Sequence, residues 1–68
     1  MNKFPQRLKE LRIEHGMTQQ KLASLLNIKQ QSYIRYEYGT GEPSLDTLIK
    51  LAELLDVTTD YLLGITDD

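Results

Sequence analysis

The chain has 68 residues, 40% of them hydrophobic and 26% charged, a length that fits one domain with a small core and a composition far from that of disordered segments. It has no cysteine and a single histidine, His15, which excludes a disulfide framework, a thiolate metal site and a multi-histidine site. The net charge of −2 conceals a split: residues 1–36 hold seven basic groups against two acidic ones, whereas residues 37–68 hold one basic group against eight acidic, so the first half suits a polyanionic partner and the second faces away from it.

No apolar run reaches the ~20 residues that cross a bilayer, and the start Met1-Asn2-Lys3-Phe4-Pro5 lacks the apolar stretch of a secretory leader. The expected address is therefore the cytoplasm, and the expected unit a single domain over residues 1–68.

In chain order, the first helix is expected over residues 5–15. Phe4, Leu8 and Leu11 fall at helical spacing with Arg7, Lys9, Glu10 and Glu14 between them. Pro5 suits a first turn and Gly16 a left-handed stop. His15 reads as a last-turn residue beside the carbonyl end, not as a catalytic group. A second helix over 18–26 starts on Thr18, a good N-cap, and carries Leu22, Ala23, Leu25 and Leu26 on its apolar side. Asn27 tolerates the left-handed conformation and turns the chain sharply. A third helix over 29–38 stops at Gly39; Tyr33 and Tyr36 form its packing face, with their hydroxyls reaching outward.

The stretch Tyr38-Gly39-Thr40-Gly41-Glu42-Pro43 reads as a loop. Ser44 opens a fourth helix over 44–55, in which Leu45, Leu48, Ile49, Leu51, Ala52, Leu54 and Leu55 make a stripe broad enough to serve both a core and a partner. Asp56-Val57-Thr58 breaks the chain, and a fifth helix over 59–63 ends at Gly64. The fold class is all-α, with five short helices.

The three-residue connection Asn27-Ile28-Lys29 between two short helices is the spacing of a helix-turn-helix. So tight a corner needs a small side chain where the third helix crosses the second, and Ala23 supplies one. The solvent side of the third helix then displays Gln30, Gln31, Ile34, Arg35 and Tyr38, because 30, 34 and 38 share one ridge and 31 and 35 its neighbour. Glutamine pairs both adenine edges of the major groove, and arginine pairs guanine or a phosphate. Ile34 has two readings of equal standing, contact with a thymine methyl or an exposed apolar residue that meets protein.

Several strings together carry a family resemblance: Leu11-Arg12, Met17-Thr18-Gln19-Gln20-Lys21-Leu22-Ala23, Gln30-Gln31-Ser32, Tyr36-Glu37-Tyr38-Gly39, Pro43-Ser44-Leu45, Leu51-Ala52 and Tyr61-Leu62-Leu63-Gly64. Over nearly its whole length the chain resembles the Cro and lambda-repressor-like helix-turn-helix regulators. The resemblance implies a compact five-helix, lambda-repressor-like domain that binds double-stranded DNA as a homodimer on a palindromic operator, most commonly as a repressor. It implies base contacts by Gln30 and Gln31, with Arg35 beside them; Ile34, on the same ridge, is a further candidate from its position and not from the resemblance, and phosphate contacts are expected of Thr18, Gln19, Lys29, Tyr38 and Thr40. Gln19 would also brace Gln30. Arg12 and Glu37 resemble a structural ion pair between the first helix and the end of the third. Leu55, Val57, Tyr61 and Leu62 are the expected dimer surface.

Three positions depart from the family pattern. Lys29 stands where Ser or Thr often caps the third helix, Ile34 where a small or polar residue is common, and Glu42 in a loop that relatives often make basic, which leaves phosphate contact there to the backbone amides of Thr40 or Gly41. No nucleophile arrangement, glycine-rich phosphate loop or metal cluster is written in the chain, so neither an enzyme nor a cofactor, metal, membrane or small-molecule partner is expected. The alternative to DNA binding is a protein-interaction module, antitoxin-like or adaptor, that uses the last two helices.

Overall fold

The structure is a computed structural model and describes residues 2–67. Five helices follow one another: α1 (Phe4–Glu14), α2 (Gln19–Leu25), α3 (Gln30–Tyr38), α4 (Leu45–Leu55) and α5 (Thr59–Leu63). Their order and termini follow the expected pattern to within one residue at each end. Each start has a local cause. The Asn2 side chain accepts from the Phe4 amide at 3.0 Å ahead of Pro5, Thr18 accepts from Lys21 N–H at 3.0 Å, and Ser44 and Thr58 do the same for α4 and α5. These bonds satisfy amides that a helix start otherwise leaves open. The N-cap residues Lys3 and Lys29 make no side-chain cap bond; Asn2 serves α1 instead, and no side chain among the described residues is seen to do so for α3.

Two non-glycine residues take the left-handed conformation, Asn27 at φ 58° and Asp56 at φ 57°. Asn27 makes the corner between α2 and α3, as its type predicts. Asp56 ends α4 in the same way, a role that its place in an ordinary-looking break did not disclose.

The core is built from one side of every helix: Phe4, Leu8 and Leu11, then Leu22, Ala23 and Leu26, then Tyr33 and Tyr36, then Leu51 and Leu55, and finally Leu62. Tyr33 and Tyr36 meet edge to face, with ring centres 6.0 Å apart, an arrangement that opposes the negative face of one ring to the positive edge of the other. Ala23 is buried at the α2–α3 crossing and its carbonyl accepts from Ile28 N–H at 3.1 Å, which closes the corner. The broad stripe on α4 does divide in two. Leu51, Ala52 and Leu55 turn inward, whereas Leu45 and Ile49 face solvent.

Arg7 carries a structural role that its local sequence does not signal. It is buried, and its Nη1 donates to the carbonyls of Tyr61 at 2.5 Å and Thr66 at 2.6 Å, while Nη2 meets Asp67 Oδ1 at 2.6 Å. Its guanidinium lies 4.2 Å from the centre of the Tyr61 ring, close enough for cation–π attraction. The side chain thus ties α1 to α5 and to the chain that follows it.

Candidate nucleic-acid interface

The exposed face of α3 carries Gln30, Gln31 and Arg35, with Lys29 just before them, and Tyr38 projects from its far end with 79% of its surface exposed. Ile34 lies at the rim of this face and is half-buried. The reason is angular: it follows Tyr33 by one residue and precedes Glu37 by three, and both of those turn inward. Gln30 also borders a cleft of about 360 Å³ between α2 and α3, lined by Gln20, Ser24 and Asn27 as well as Ala23 and Ile28. Gln20 and Ser24 thus neighbour the exposed face of α3, and their i, i+4 spacing on the exposed side of α2 is the sequence signal that marks them.

Behind α3 a single carboxylate organises the site. Glu37 Oε2 accepts from Arg12 Nε at 2.7 Å and from the Tyr33 hydroxyl; Oε1 accepts from Arg12 Nη2 at 3.3 Å and Gln19 Nε2 at 3.2 Å. Arg12 further donates to the Met17 carbonyl at 2.9 Å. Three helices therefore converge on one anion whose side chain is only 5% exposed. Burial alone raises the pKa of Glu37, but the hydrogen bonds from Arg12, Tyr33 and Gln19 outweigh it and hold the carboxyl below the usual carboxylate range. The hydrogen bond to Glu37 likewise raises the Arg12 pKa. Burial, followed by the bond to Glu37, pushes the Tyr33 hydroxyl pKa upward. The hub is neutral overall, so Glu37 adds no net repulsion toward a phosphate backbone.

This geometry changes several expectations. The Tyr33 hydroxyl does not reach outward; the tyrosine is fully buried and its donor is spent on Glu37. The Gln19 amide group is directed to Glu37 rather than to Gln30, and the reverse orientation would set its carbonyl oxygen against a carboxylate. The amides of Thr40 and Gly41 both donate to the Arg35 carbonyl, at 3.0 and 3.3 Å, because the turn after α3 folds back over its last carbonyls. Those amides are therefore engaged within the chain, and of the Thr40 donors the hydroxyl is the one left for a phosphate. Thr18 uses its side-chain oxygen to cap α2.

The expected dimer residues also separate. Leu55 and Leu62 are 1% and 0% exposed and belong to the chain's own core; a broad apolar stripe does not tell from sequence which of its edges faces inward. Val57 and Tyr61 are half-exposed and, with Leu11, Asp56 and Thr58, line a shallow groove of about 320 Å³. The Tyr61 ring is at the same time the platform for Arg7.

Among the described residues no cluster of three His, Asp or Glu side chains could hold a metal, and no helix is long and apolar enough to cross a membrane.

Comparison with known proteins agrees with this architecture. The family model described as Helix-turn-helix matches residues 8–62. The chain is 48% identical over 65 residues to the HTH-type transcriptional regulator YobD of Bacillus subtilis, covering 96% of this chain and 58% of that protein. It is 48% identical over 58 residues to the HTH-type transcriptional regulator ImmR of the same organism, covering 85% and 46% respectively. The transcriptional repressor RstR of the cryptic phage CTXphi in Vibrio cholerae is 36% identical over 62 residues, covering 91% and 55%. The chain thus spans about half the length of these curated relatives. A transcriptional regulator from Listeria innocua, known from its crystal structure, has the same fold with a TM-score of 0.90 at 29% identity, covering 100% of this chain and 64% of that one. With the helix-turn-helix geometry, the family match and these relatives in agreement, the chain belongs to the Cro/C1-type helix-turn-helix family of DNA-binding transcription regulators, not to a family of enzymes.

Proposed function

We propose that this chain reads one half of a palindromic operator by placing α3 in the major groove, and that it acts as a homodimeric repressor in the cytoplasm. The observation that carries the reading is the division of α3 into two faces. Tyr33, Tyr36 and Glu37 are locked inward, while Gln30, Gln31 and Arg35 stand together in solvent on a basic half of the chain. Gln30 and Gln31 suit adenine edges, Arg35 suits guanine or phosphate, and Ile34, at the rim, suits a thymine methyl. Lys29, Gln19, Thr18, Tyr38 and the Thr40 hydroxyl flank this strip and suit phosphates, which set register and orientation without specifying sequence.

Size supports the dimer. The chain is 28 Å along its longest axis, shorter than the ~34 Å between successive major-groove faces on one side of a duplex. One copy therefore covers one half-site. Val57 and Tyr61 remain open to a second copy, and repression is supported by the phage repressor among the relatives. Selection of bound duplexes from a randomised library tests the whole reading. The expected product is a two-fold symmetric sequence with half-sites about 10 base pairs apart. Recovery of no preferred sequence, or of a lone half-site bound by a monomer, contradicts it.

A further inference from the structure

We propose that Gly41 is a positioning residue for Arg35: by presenting no side chain, it gives the arginine stem a bed across the loop after α3 and so sets the direction from which the guanidinium approaches DNA. The inference rests on the reading that Arg35 faces DNA. Three features of the structure lead to it.

First, the loop is folded onto Arg35 itself. The amides of Gly39, Thr40 and Gly41 all converge on the Arg35 carbonyl, so the backbone of the loop and the backbone of Arg35 move together. Second, the space beside Gly41 is already taken. A Cβ built on Gly41 would lie 3.1 Å from Arg35 Cβ, closer than carbon atoms approach at rest, and in ordinary contact with its Cδ at 3.7 Å. The stem of Arg35 thus passes directly over the glycine. Third, Gly41 does not have the positive φ that makes glycine necessary at Gly16, Gly39 and Gly64. Its lack of a side chain is not required by the backbone angle, and the arginine is what would notice a replacement. Arg35 is exposed and, among the described residues, no carboxylate pairs with it. A stem held at its base and a head without a partner are what a preorganised anchor needs, because ordering a long side chain on binding otherwise costs affinity.

In a Gly41→Ala chain the tight contact is with Arg35 Cβ, which no side-chain rotation moves, so it is relieved by the loop backing away from α3 and stretching the hydrogen bond from the Gly41 amide to the Arg35 carbonyl, already 3.3 Å long. The stem then loses the surface on which it rests. The test is a double-mutant cycle of Gly41→Ala and Arg35→Ala, read as affinity for the duplex that the wild-type protein selects from a randomised library. With Arg35 present, Gly41→Ala is expected to weaken binding about two- to tenfold, the range set by displacing one side chain from its preferred rotamer. With Arg35→Ala, it is expected to have no effect. Equal losses in both backgrounds, or no loss with Arg35 present, overturn the inference while leaving the role of Arg35 intact. Full affinity of Arg35→Ala by itself removes the role of Arg35 and the inference with it.

A second measurement needs no DNA. Side-chain couplings by NMR should show one dominant Arg35 χ2 rotamer, the torsion that lays Cδ over the loop, in the wild-type protein and averaging in Gly41→Ala, and equal averaging in both proteins also overturns the inference. Thermal unfolding of both variants, compared with wild type, keeps a loss of fold from being mistaken for a loss of aim.

Discussion

At the residue scale, the Glu37 carboxylate takes hydrogen bonds from α1, α2 and its own helix, with Arg12 as its one cationic partner among the described residues. Glu37→Gln keeps the shape but leaves the guanidinium, 12% exposed, without its anion. The expected cost is about 3 kcal/mol, as for a broken buried pair, measured by denaturant unfolding at neutral pH. The pH dependence has a definite sign. The folded-state pKa of Glu37 lies below its unfolded value of about 4.3. Its contribution is therefore complete above that value and is lost as pH falls through the folded pKa. Wild-type stability should drop over that acid range by a component that Glu37→Gln lacks; parallel pH profiles for the two proteins contradict the assignment. The Arg12–Glu37 pairing was legible through family resemblance. Gln19 and Tyr33 were not legible as its partners, because four donors on two oxygens is a fact of three-dimensional crowding that no spacing along the chain encodes.

At the scale of elements, the helices and their ends were largely legible, because caps act locally: Thr18 and Ser44 each bind an amide three residues on. Lys29, which like Lys3 gives its helix no N-cap side-chain bond, makes a trade that can be measured. Lys29→Ser is expected to stabilise the fold by about 1 kcal/mol through a new N-cap, while weakening DNA binding on all sequences alike and flattening its salt dependence. A variant that gains stability with no change in salt dependence would show that Lys29 does not meet phosphate. Arg7 was illegible for the opposite reason. Its partners Tyr61, Thr66 and Asp67 lie 54 to 60 residues away, and a basic residue on a polar-looking helix gives no sign of them. Arg7→Ala should destabilise by about 1–3 kcal/mol, since two part-buried carbonyls lose their donor. Asp67→Asn should cost far less than that, because the carboxylate is 84% exposed and its ion pair is screened by solvent. Similar losses in both variants would place the strength of this clamp in the ion pair instead.

At the scale of the whole molecule, charge and shape act together. The basic half contains the exposed face of α3, and the acidic half holds α4 and α5, so a field of one sign orients the approach to DNA. Sequence showed this division directly. It did not show which edge of the α4 stripe is covered, and for that reason Leu55 and Leu62 looked like partners' contacts when they are core. Sedimentation on operator DNA is expected to give two chains per duplex, and replacing Val57 with Asp is expected to reduce that to one without loss of fold. Two bound chains with Val57→Asp would move the contact elsewhere, toward the exposed Leu45 and Ile49.

The central claim is that Gln30 and Gln31 read bases and do not merely touch the backbone. The direct measurement is the affinity of wild-type, Gln30→Ala and Gln31→Ala proteins for the selected duplex and for every single base-pair change within one half-site. Each variant is expected to lose ~1–3 kcal/mol on the selected duplex and to become indifferent to change at one or two positions, the others keeping their usual penalties. A uniform loss at every position, with the pattern of preferences unchanged, would contradict it.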